Sequence, residues 1–326
     1  MAPFLSNMIA AFNKNGVLLL RFCYYATGSF VRSNSLDKAI DKAGALIEAL
    51  SYIRRFRDKV VVVKLGGSLM ETDQSQKELL RDVVFMATVG MQPILVHGGG
   101  KSISAAMQKA RIEPEFVQGR RYTDERTLAI VEHVLVNEVN AQIVASINEL
   151  GGSAMGLHSR SSCVLFAERT HLPGPDGRQL DLGLVGDMTS VNGKLLQSLC
   201  AAGTIPVLAP VAADKTGGKL NVNADTVAGK VAEAVQAEKL VMMSDTHGIF
   251  ADQNDPSTQF SRLSEKEVQS LIDDGTISGG MLPKVQACLR SLHAGVGRTH
   301  IIDGSLAHSL LLEIYTDSGV GTLITK

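Results

Sequence analysis

Two apolar runs in this chain each lead into a glycine cluster with a basic residue beside it. They are Val60-Val61-Val62-Val63-Lys64-Leu65-Gly66-Gly67-Ser68 and Pro93-Ile94-Leu95-Val96-His97-Gly98-Gly99-Gly100-Lys101. Glycines after a buried strand let the backbone turn sharply and bring N–H groups against a ligand with no Cβ in the way. A helix-like segment follows each turn, so a positive helix end faces the same space. The chemistry such a pair serves is the holding of a phosphate or a carboxylate. Neither turn is a familiar phosphate loop. For a P-loop ending in Gly100-Lys101-Ser102 the leading glycine would fall on Leu95, and Ile103 stands where a dinucleotide fingerprint needs its last glycine. Two tight strand-to-helix turns without a ligand remain the alternative.

Four further clusters suit an anionic, amino-acid-like ligand. Gly119-Arg120-Arg121-Tyr122-Thr123-Asp124 precedes a long helical pattern, and an arginine there can hold a carboxylate by two parallel hydrogen bonds, although a solvated basic turn reads the same. In Asn221-Val222-Asn223-Ala224-Asp225-Thr226, Asn223 suits a helix N-cap and Asp225 falls in the first turn, where its charge is favoured anyway. Asn221 and Asn223 share one side of an extended segment, as polar groups gripping a substrate would. Asp245, in Ser244-Asp245-Thr246-His247-Gly248-Ile249, follows an apolar strand at the place where open α/β sheets bind a base or ribose. Gly279-Gly280-Met281-Leu282-Pro283-Lys284 is another glycine turn into a helix, with Lys284 opposed to the helix dipole unless an anion lies between them.

The elements that must position these residues alternate. Apolar runs at Val60–Val63, Ile94–Val96, Cys163–Phe166, Ile205–Leu208, Leu240–Met243 and His300–Ile302 read as buried strands. Helical patterns fall near Gln76–Thr88, Ser102–Lys109, Glu125–Leu150, Gly193–Ala202, Ala224–Ala237, Glu265–Ile272 and Pro283–His293, with a capping box at Ser264 and Glu267. Thr170–Asp181, with its prolines and glycines, reads as a surface hairpin or loop. The alternation predicts an α/β protein with a mainly parallel open sheet and helices on both faces. Ahead of it, Leu36 to about Arg57 is helical, with an apolar stripe of Ile40, Ala43, Leu46, Ile47, Leu50 and Ile53 suited to its own domain or a neighbouring subunit.

Composition narrows the partners. With 326 residues the chain holds about two domains or one large one, and 45% hydrophobic with 20% charged residues describes a globular protein. Lys plus Arg is 32 against 33 for Asp plus Glu, so no net field favours nucleic acid or an acidic membrane, and no stretch reaches the roughly 18 apolar residues of a span. Cys23, Cys163, Cys200 and Cys288 have no metal-ligand spacing and read as reduced, mostly buried thiols. Residues 1–35 contain no acidic residue but carry Lys14, Arg21 and Arg32. They read as the leader of a cytoplasmic protein, or as a transit peptide to an organelle.

Val63-Lys64-Leu65-Gly66-Gly67, Val96-His97-Gly98-Gly99-Gly100, Asn221-Val222-Asn223-Ala224-Asp225 and Gly279-Gly280-Met281-Leu282-Pro283-Lys284 together resemble the amino acid kinase family. So does the tail from His300-Ile301-Ile302-Asp303-Gly304 to Gly321-Thr322-Leu323-Ile324, and the resemblance covers about Leu36 to Lys326. Within the family the chain is most similar to the arginine-sensitive, hexameric branch acting on N-acetyl-L-glutamate. The resemblance implies a three-layer αβα sandwich in two lobes. Residues 1–35 would be a leader, 36–58 an oligomerisation helix, 59–238 an acyl-amino-acid-binding and dimerisation lobe, and 239–326 a nucleotide-binding lobe. It implies transfer of the ATP γ-phosphoryl group to the side-chain carboxylate of N-acetyl-L-glutamate, the second step of arginine synthesis, with Mg²⁺ bridging the nucleotide phosphates.

By the same resemblance Lys64 and Lys284 stabilise the transferring group and Asp225 holds both lysines. Gly66, Gly67, Asp245 and Gly280 serve the nucleotide, whereas Gly98, Gly99, Arg121, Asn221 and Asn223 serve the acyl-amino acid. A carboxylate nucleophile is already ionised, so positioning and charge neutralisation suffice without a general base. L-Arginine is implied as an inhibitor, lodged between the N-terminal helix and the C-terminal lobe beside His300, Glu313 and Gly319. A homo-oligomer, a dimer or trimer of dimers, and a PII-type signal protein complete the implied partners. The chain departs from the family at Lys101-Ser102, where Pro-Gln is common, across Gly156–Ser162, and at Met243-Ser244-Asp245-Thr246, where Leu-Thr-Asp-Val is usual. A sibling kinase for another N-acyl amino dicarboxylate, such as acetylaminoadipate, and a catalytically weak arginine-sensing subunit are the alternatives.

Overall fold

Val60–Leu65 (β1) opens with four valines and is buried on both sides, as the central strand of a covered parallel sheet must be. The computed structural model describes residues 11–12, 18–19, 29–66, 73–158, 164–173, 178–316 and 319–326. Gly67, Cys23 and Cys163 therefore lie outside the described residues. Residues 1–50 and 51–326 form two compact units. The first contains the paired segments Ala11–Phe12 and Leu18–Leu19 and most of helix α1, Ser29–Phe56, which begins well before the apolar stripe and leaves Leu36, Ile40, Leu46 and Ile47 exposed.

In the second unit, besides the short antiparallel pair Phe116–Val117 and Arg120–Arg121, the strands in chain order after β1 are β2 Gln92–His97, β3 Ala154–Leu157, β4 Leu165–Pro173, β5 Gln179–Val191, β6 Ile205–Leu208, β7 Val211–Ala213, β8 Lys219–Val222, β9 Lys239–Ser244, β10 Arg262–Ser264, β11 Arg298–Asp303 and β12 Thr322–Thr325. Eight of them form one sheet in the order β10-β12-β11-β9-β1-β2-β6-β3. Every pairing in it is parallel except β11 with β12. The other four close into a small barrel-like sheet, β7-β8-β5-β4, in which β4 and β5 make the expected hairpin.

Helices cover both faces of the large sheet. On one side lie α2 (Asp73–Thr88), α3 (Gly100–Lys109), the long α4 (Glu125–Glu149) and α9 (Ser309–Tyr315), packed over Val61, Val63, Leu65 and Leu95. On the other lie α5 (Gly193–Ala201), α6 (Ala224–Ala234), α7 (Glu265–Asp273) and α8 (Met281–His293), packed over Val62, Ile94, Val96 and Leu240. All seven helical patterns expected in this unit form, and Ser264 with Glu267 makes the capping box. Alternate residues of β1 and β2 thus face different helix layers, as the two-residue strand period requires. By length and composition α4 could cross a membrane, but its apolar residues Val131, Leu135, Val139, Ile143 and Ile147 are buried against the sheet, as in a core helix. Its middle, His133–Asn140, is π-helical, a widening frequent at functional sites.

Candidate active site

The strand period decides where Lys64 goes. It follows Val63, which faces α4, so its side chain emerges on the α6 face beside Val62. There α6 begins: the Asn223 side chain accepts a hydrogen bond from Thr226 N at 3.0 Å, and the first turn carries Asp225 inward. Lys64 Nζ meets Asp225 Oδ1 at 2.9 Å, with only 7% and 9% of the two side chains exposed. From α8, Lys284 Nζ lies 3.8 Å from Asp225 Oδ2 and donates to Gly280 O at 3.3 Å. The structure therefore assembles Lys64, Asp225 and Lys284 from three distant segments into one cluster with an excess positive charge. The expected conflict between Lys284 and its helix dipole is eased by the Gly280 carbonyl and by the nearby Asp225 carboxylate.

The glycine turns stand where the strands end. A Cβ on Gly66 would lie 2.9 Å from Met243 O of β9, and one on Gly99 would lie 2.5 Å from Leu135 Cδ2, so neither site has room for a side chain. Gly98 departs from the sequence expectation in one respect, because its amide donates to Leu65 O at 3.0 Å and is already engaged. Gly98, Gly99, Lys64, Asp225, Arg121, Asn221 and Asn223 line a single cavity of about 570 Å³. The Asn223 carbonyl oxygen is committed to its cap, while Asn221 Nδ2 donates to Thr123 Oγ1 at 3.2 Å.

Arg121 lines that cavity as a buried cation. Its Nη2 donates to Ser104 Oγ at 2.8 Å and to Gly100 O at 3.1 Å, its Nη1 contacts Met107 Sδ at 3.1 Å, and its guanidinium carbon lies 4.8 Å from the Phe116 ring centre. Every one of these partners is neutral, and burial pulls the guanidinium below its ordinary value. A buried cation with no carboxylate among the described residues and an open cavity before it is set for an anionic ligand. Ser104, Phe116 and Thr123 escaped the sequence reading; only Thr123, inside the Arg-Arg-Tyr-Thr turn, sat near a recognised signal.

Asp245 is placed elsewhere. With His247, Gly248, Phe250, Ile277 and Met281 it lines a second cavity of about 330 Å³ beyond the carboxyl end of β9. The turn from Gly280 into α8 joins the two, since Met281 lines this cavity and Lys284 reaches Asp225 in the other. His300 and Glu313 meet in a third place: Nδ1 lies 2.5 Å from Oε1, both side chains are buried, and Glu313 Oε2 accepts from Val320 N at 2.8 Å and Gly321 N at 3.1 Å. Gly319, at φ 59°, packs beside Glu313 in a backbone conformation that favours glycine. These three residues line a cavity of about 280 Å³ together with Arg55, Lys239 and Arg298. Burial brings the Lys239 ammonium, 4.7 Å from the Phe56 ring centre, down to about 8. Among the described residues no group of three or more His, Cys, Asp and Glu side chains is arranged to hold a metal ion.

Missed altogether was a buried polar pair behind the second glycine turn. His97 Nδ1 lies 2.9 Å from Gly98 O, and its Nε2 lies 3.1 Å from Asn140 Nδ2. Burial lowers this imidazole to about 4 from an ordinary 6.5. The unfolded chain therefore takes up the proton first, and stability is lost as pH falls from about 6.5 towards 4. Urea midpoints are expected to drop across that window, and to drop less in a His97→Asn variant, which has no imidazole to protonate.

An αβα sheet with a cationic, glycine-rimmed cavity at the ends of its central strands defines a class, and the chain belongs to it: residues 59–303 match the amino acid kinase family. Among its relatives, the acetylglutamate kinase of Caldanaerobacter subterraneus subsp. tengcongensis is 46% identical over 296 residues, covering 91% of this chain and 97% of that protein. The acetylglutamate kinase of Nostoc sp. is 47% identical over 279 residues, covering 86% and 92%. Among solved structures, the N-acetylglutamate synthase of Neisseria gonorrhoeae in complex with coenzyme A and N-acetyl-glutamate superposes with a TM-score of 0.75 at 25% identity over 87% of this chain. This chain spans 63% of that synthase.

Proposed function

We propose that this chain transfers the γ-phosphoryl group of ATP to the side-chain carboxylate of N-acetyl-L-glutamate, giving the acyl phosphate and ADP. The observation that carries the reading is that Lys64 and Asp225 line the same cavity as Arg121, with Lys284 held 3.8 Å from Asp225 and no carboxylate among the described residues paired with Arg121. Arg121 would grip the α-carboxylate, with Asn221 and Asn223 along the chain of the acceptor. A side-chain carboxylate oxygen then forms its bond to the γ-phosphorus as the bond to the bridging oxygen of ADP breaks. No proton moves, so the residues act by alignment and by neutralising charge on the phosphoryl oxygens. Asp225, bonded to both lysines, sets where their ammonium groups point. The second cavity, with Asp245, suits the base and ribose, and Gly66 and Gly280 would then serve the phosphates. Asp225 is already engaged by two lysines and no cluster of metal ligands stands near among the described residues, so Mg²⁺ would arrive on the nucleotide phosphates, whose charge it offsets.

An ATP-dependent hydroxamate assay with N-acetylglutamate, glutamate, aspartate and acetylaminoadipate tests the reading. Turnover of N-acetylglutamate is expected to exceed that of the adipate homologue by about 10- to 200-fold, the discrimination one methylene allows. No turnover of any of the four would sink the kinase reading and favour a sensor subunit.

The third cavity supports feedback control by L-arginine. It offers one buried carboxylate, Glu313, together with the cations Arg55, Lys239 and Arg298, complementary to a guanidinium at one end and a carboxylate at the other. Saturating arginine is expected to inhibit, and Glu313→Gln to weaken that inhibition. Equal rates with and without arginine in the unaltered chain would remove the idea. The exposed apolar residues of α1 support a homo-oligomer, in which a second copy would cover them.

A further inference from the structure

His97 and Asn140 do nothing in the reaction as written, yet they are among the most deeply buried polar side chains of the second unit. They sit on the α4 face of the sheet, opposite Lys64. Asn140 Nδ2 donates both to Val207 O, at 2.9 Å, and to His97 Nε2, at 3.1 Å. An amide nitrogen can only donate, so Nε2 must be the accepting nitrogen of the ring and Nδ1 must carry the hydrogen. Nδ1–H then donates to Gly98 O at 2.9 Å. The chain makes space for this relay: a Cβ on Gly156 would lie 2.2 Å from Asn140 Oδ1, and Asn140 reaches the turn from the π-helical part of α4.

The Gly98 carbonyl and the Gly99 N–H belong to one planar trans peptide and point in opposite directions. Holding the carbonyl on His97 therefore aims the Gly99 N–H away from the helix layer. That amide has no acceptor among the described residues, and Gly99 lines the large cavity. A hydrogen bond to the carbonyl also polarises the peptide and strengthens its N–H as a donor. We infer that His97 is a positioning residue for the acceptor half of the site: its Nδ1–H fixes the Gly98–Gly99 peptide, Asn140 selects the tautomer that can do so, and the Gly99 amide is thereby trained on the substrate carboxylate. The kinetic part rests on the phosphoryl-transfer reading above; the tautomer and the peptide orientation do not.

Two near-isosteric variants separate positioning from mere filling of space. In His97→Asn the side-chain amide nitrogen takes the place of Nδ1 and keeps a donor for Gly98 O. In His97→Gln the amide reaches the place of Nε2, keeping a partner for Asn140 and losing the bond to Gly98 O. The expected result is that His97→Asn retains most of kcat while His97→Gln loses about 100-fold, the loss that a misplacement of about 1 Å brings. The KM for ATP should stay unchanged in both. The ¹⁵N–¹H resonance of Gly99 should shift in the Gln variant and hold in the Asn variant. Asn140→Leu, which keeps the volume but removes the tautomer-setting donor, should lower kcat in the same direction. Equal losses in the two His97 variants, a loss expressed as KM for ATP, or a Gly99 resonance displaced equally in both would each overturn the inference. If the unaltered chain fails to phosphorylate N-acetylglutamate, the functional reading falls, and the Gly99 resonance still decides the positioning of the peptide.

Discussion

Replacing Lys64 with alanine is expected to lower kcat by about 100- to 1,000-fold, the range that follows loss of one preorganised donor to a developing charge. The KM for N-acetylglutamate should change little, because in the proposed reaction the lysine would face the phosphoryl group and contribute most in the transition state. A second effect accompanies the first. Lys64 and Asp225 form a buried pair at 2.9 Å, and removing one partner of such a pair destabilises a fold by roughly 3–5 kcal/mol. The remaining cation, Lys284, is 3.8 Å from the carboxylate and cannot take over fully. Asp225→Asn keeps the shape while abolishing the charge that holds both lysines, so its kcat should fall at least as far. Lys64 and Lys284 share Asp225, and the double alanine variant should lose less than the product of the single losses. Steady-state kinetics beside thermal melts separates the two effects. A large rise in KM with kcat intact would mean that the lysine binds ground-state substrate instead.

Arg121→Lys is expected to raise the KM for N-acetylglutamate by roughly 100-fold and to leave the KM for ATP alone. A lysine keeps the charge but lacks the planar fork that can present two hydrogen bonds to a carboxylate. Two charge-assisted bonds at about 1.5 kcal/mol each amount to about 3 kcal/mol, or a factor of about 100. The surroundings sharpen this expectation. Ser104 Oγ, Gly100 O, Met107 Sδ and the Phe116 ring hold the guanidinium in place before substrate arrives. A parallel rise in the KM for ATP would place Arg121 on the nucleotide instead.

The strands and helices that carry these residues were legible where burial wrote a long pattern. Val60–Val63 and Leu240–Met243 are covered on both faces and are apolar throughout, and both are central strands. Val211–Ala213 and Thr322–Thr325 are too short to show a period, and α9 is one of the shortest helices, so all three went unread. The π-helical stretch is invisible for another reason: Val134, Leu135, Val139 and Ile143 continue a stripe that an ordinary helix would also show. Lys64, Asp225 and Lys284 were singled out through glycine turns and a helix start, features local in sequence. That Asp225 meets both lysines is a product of the sheet, and only the resemblance anticipated it. His97 and Asn140 are 43 positions apart, and although His97 stands in the second glycine motif, Asn140 lies within a continuous helical pattern, so no spacing could pair them. Asp245 was correctly set at the end of a strand, but whether it shares a cavity with the lysines depends on how α8 docks.

The central pairing of the sheet joins Val61 to Lys239, and the chain between them supplies β2, β6, β3, the whole of the small barrel and α6. Few contacts in the molecule have a greater separation, and closing so long a loop is slow because its entropy must be lost before the contact gives anything back. Residues 60–234 can form local hairpins and helix–strand units while that pairing is still open. Lys64 and Asp225 gain their shared surroundings only when β9 arrives beside β1 and brings α8, with Lys284, after it. In a refolding experiment, helical signal should therefore return well before catalytic turnover, and the interval between them measures how long the two halves of the sheet take to find each other.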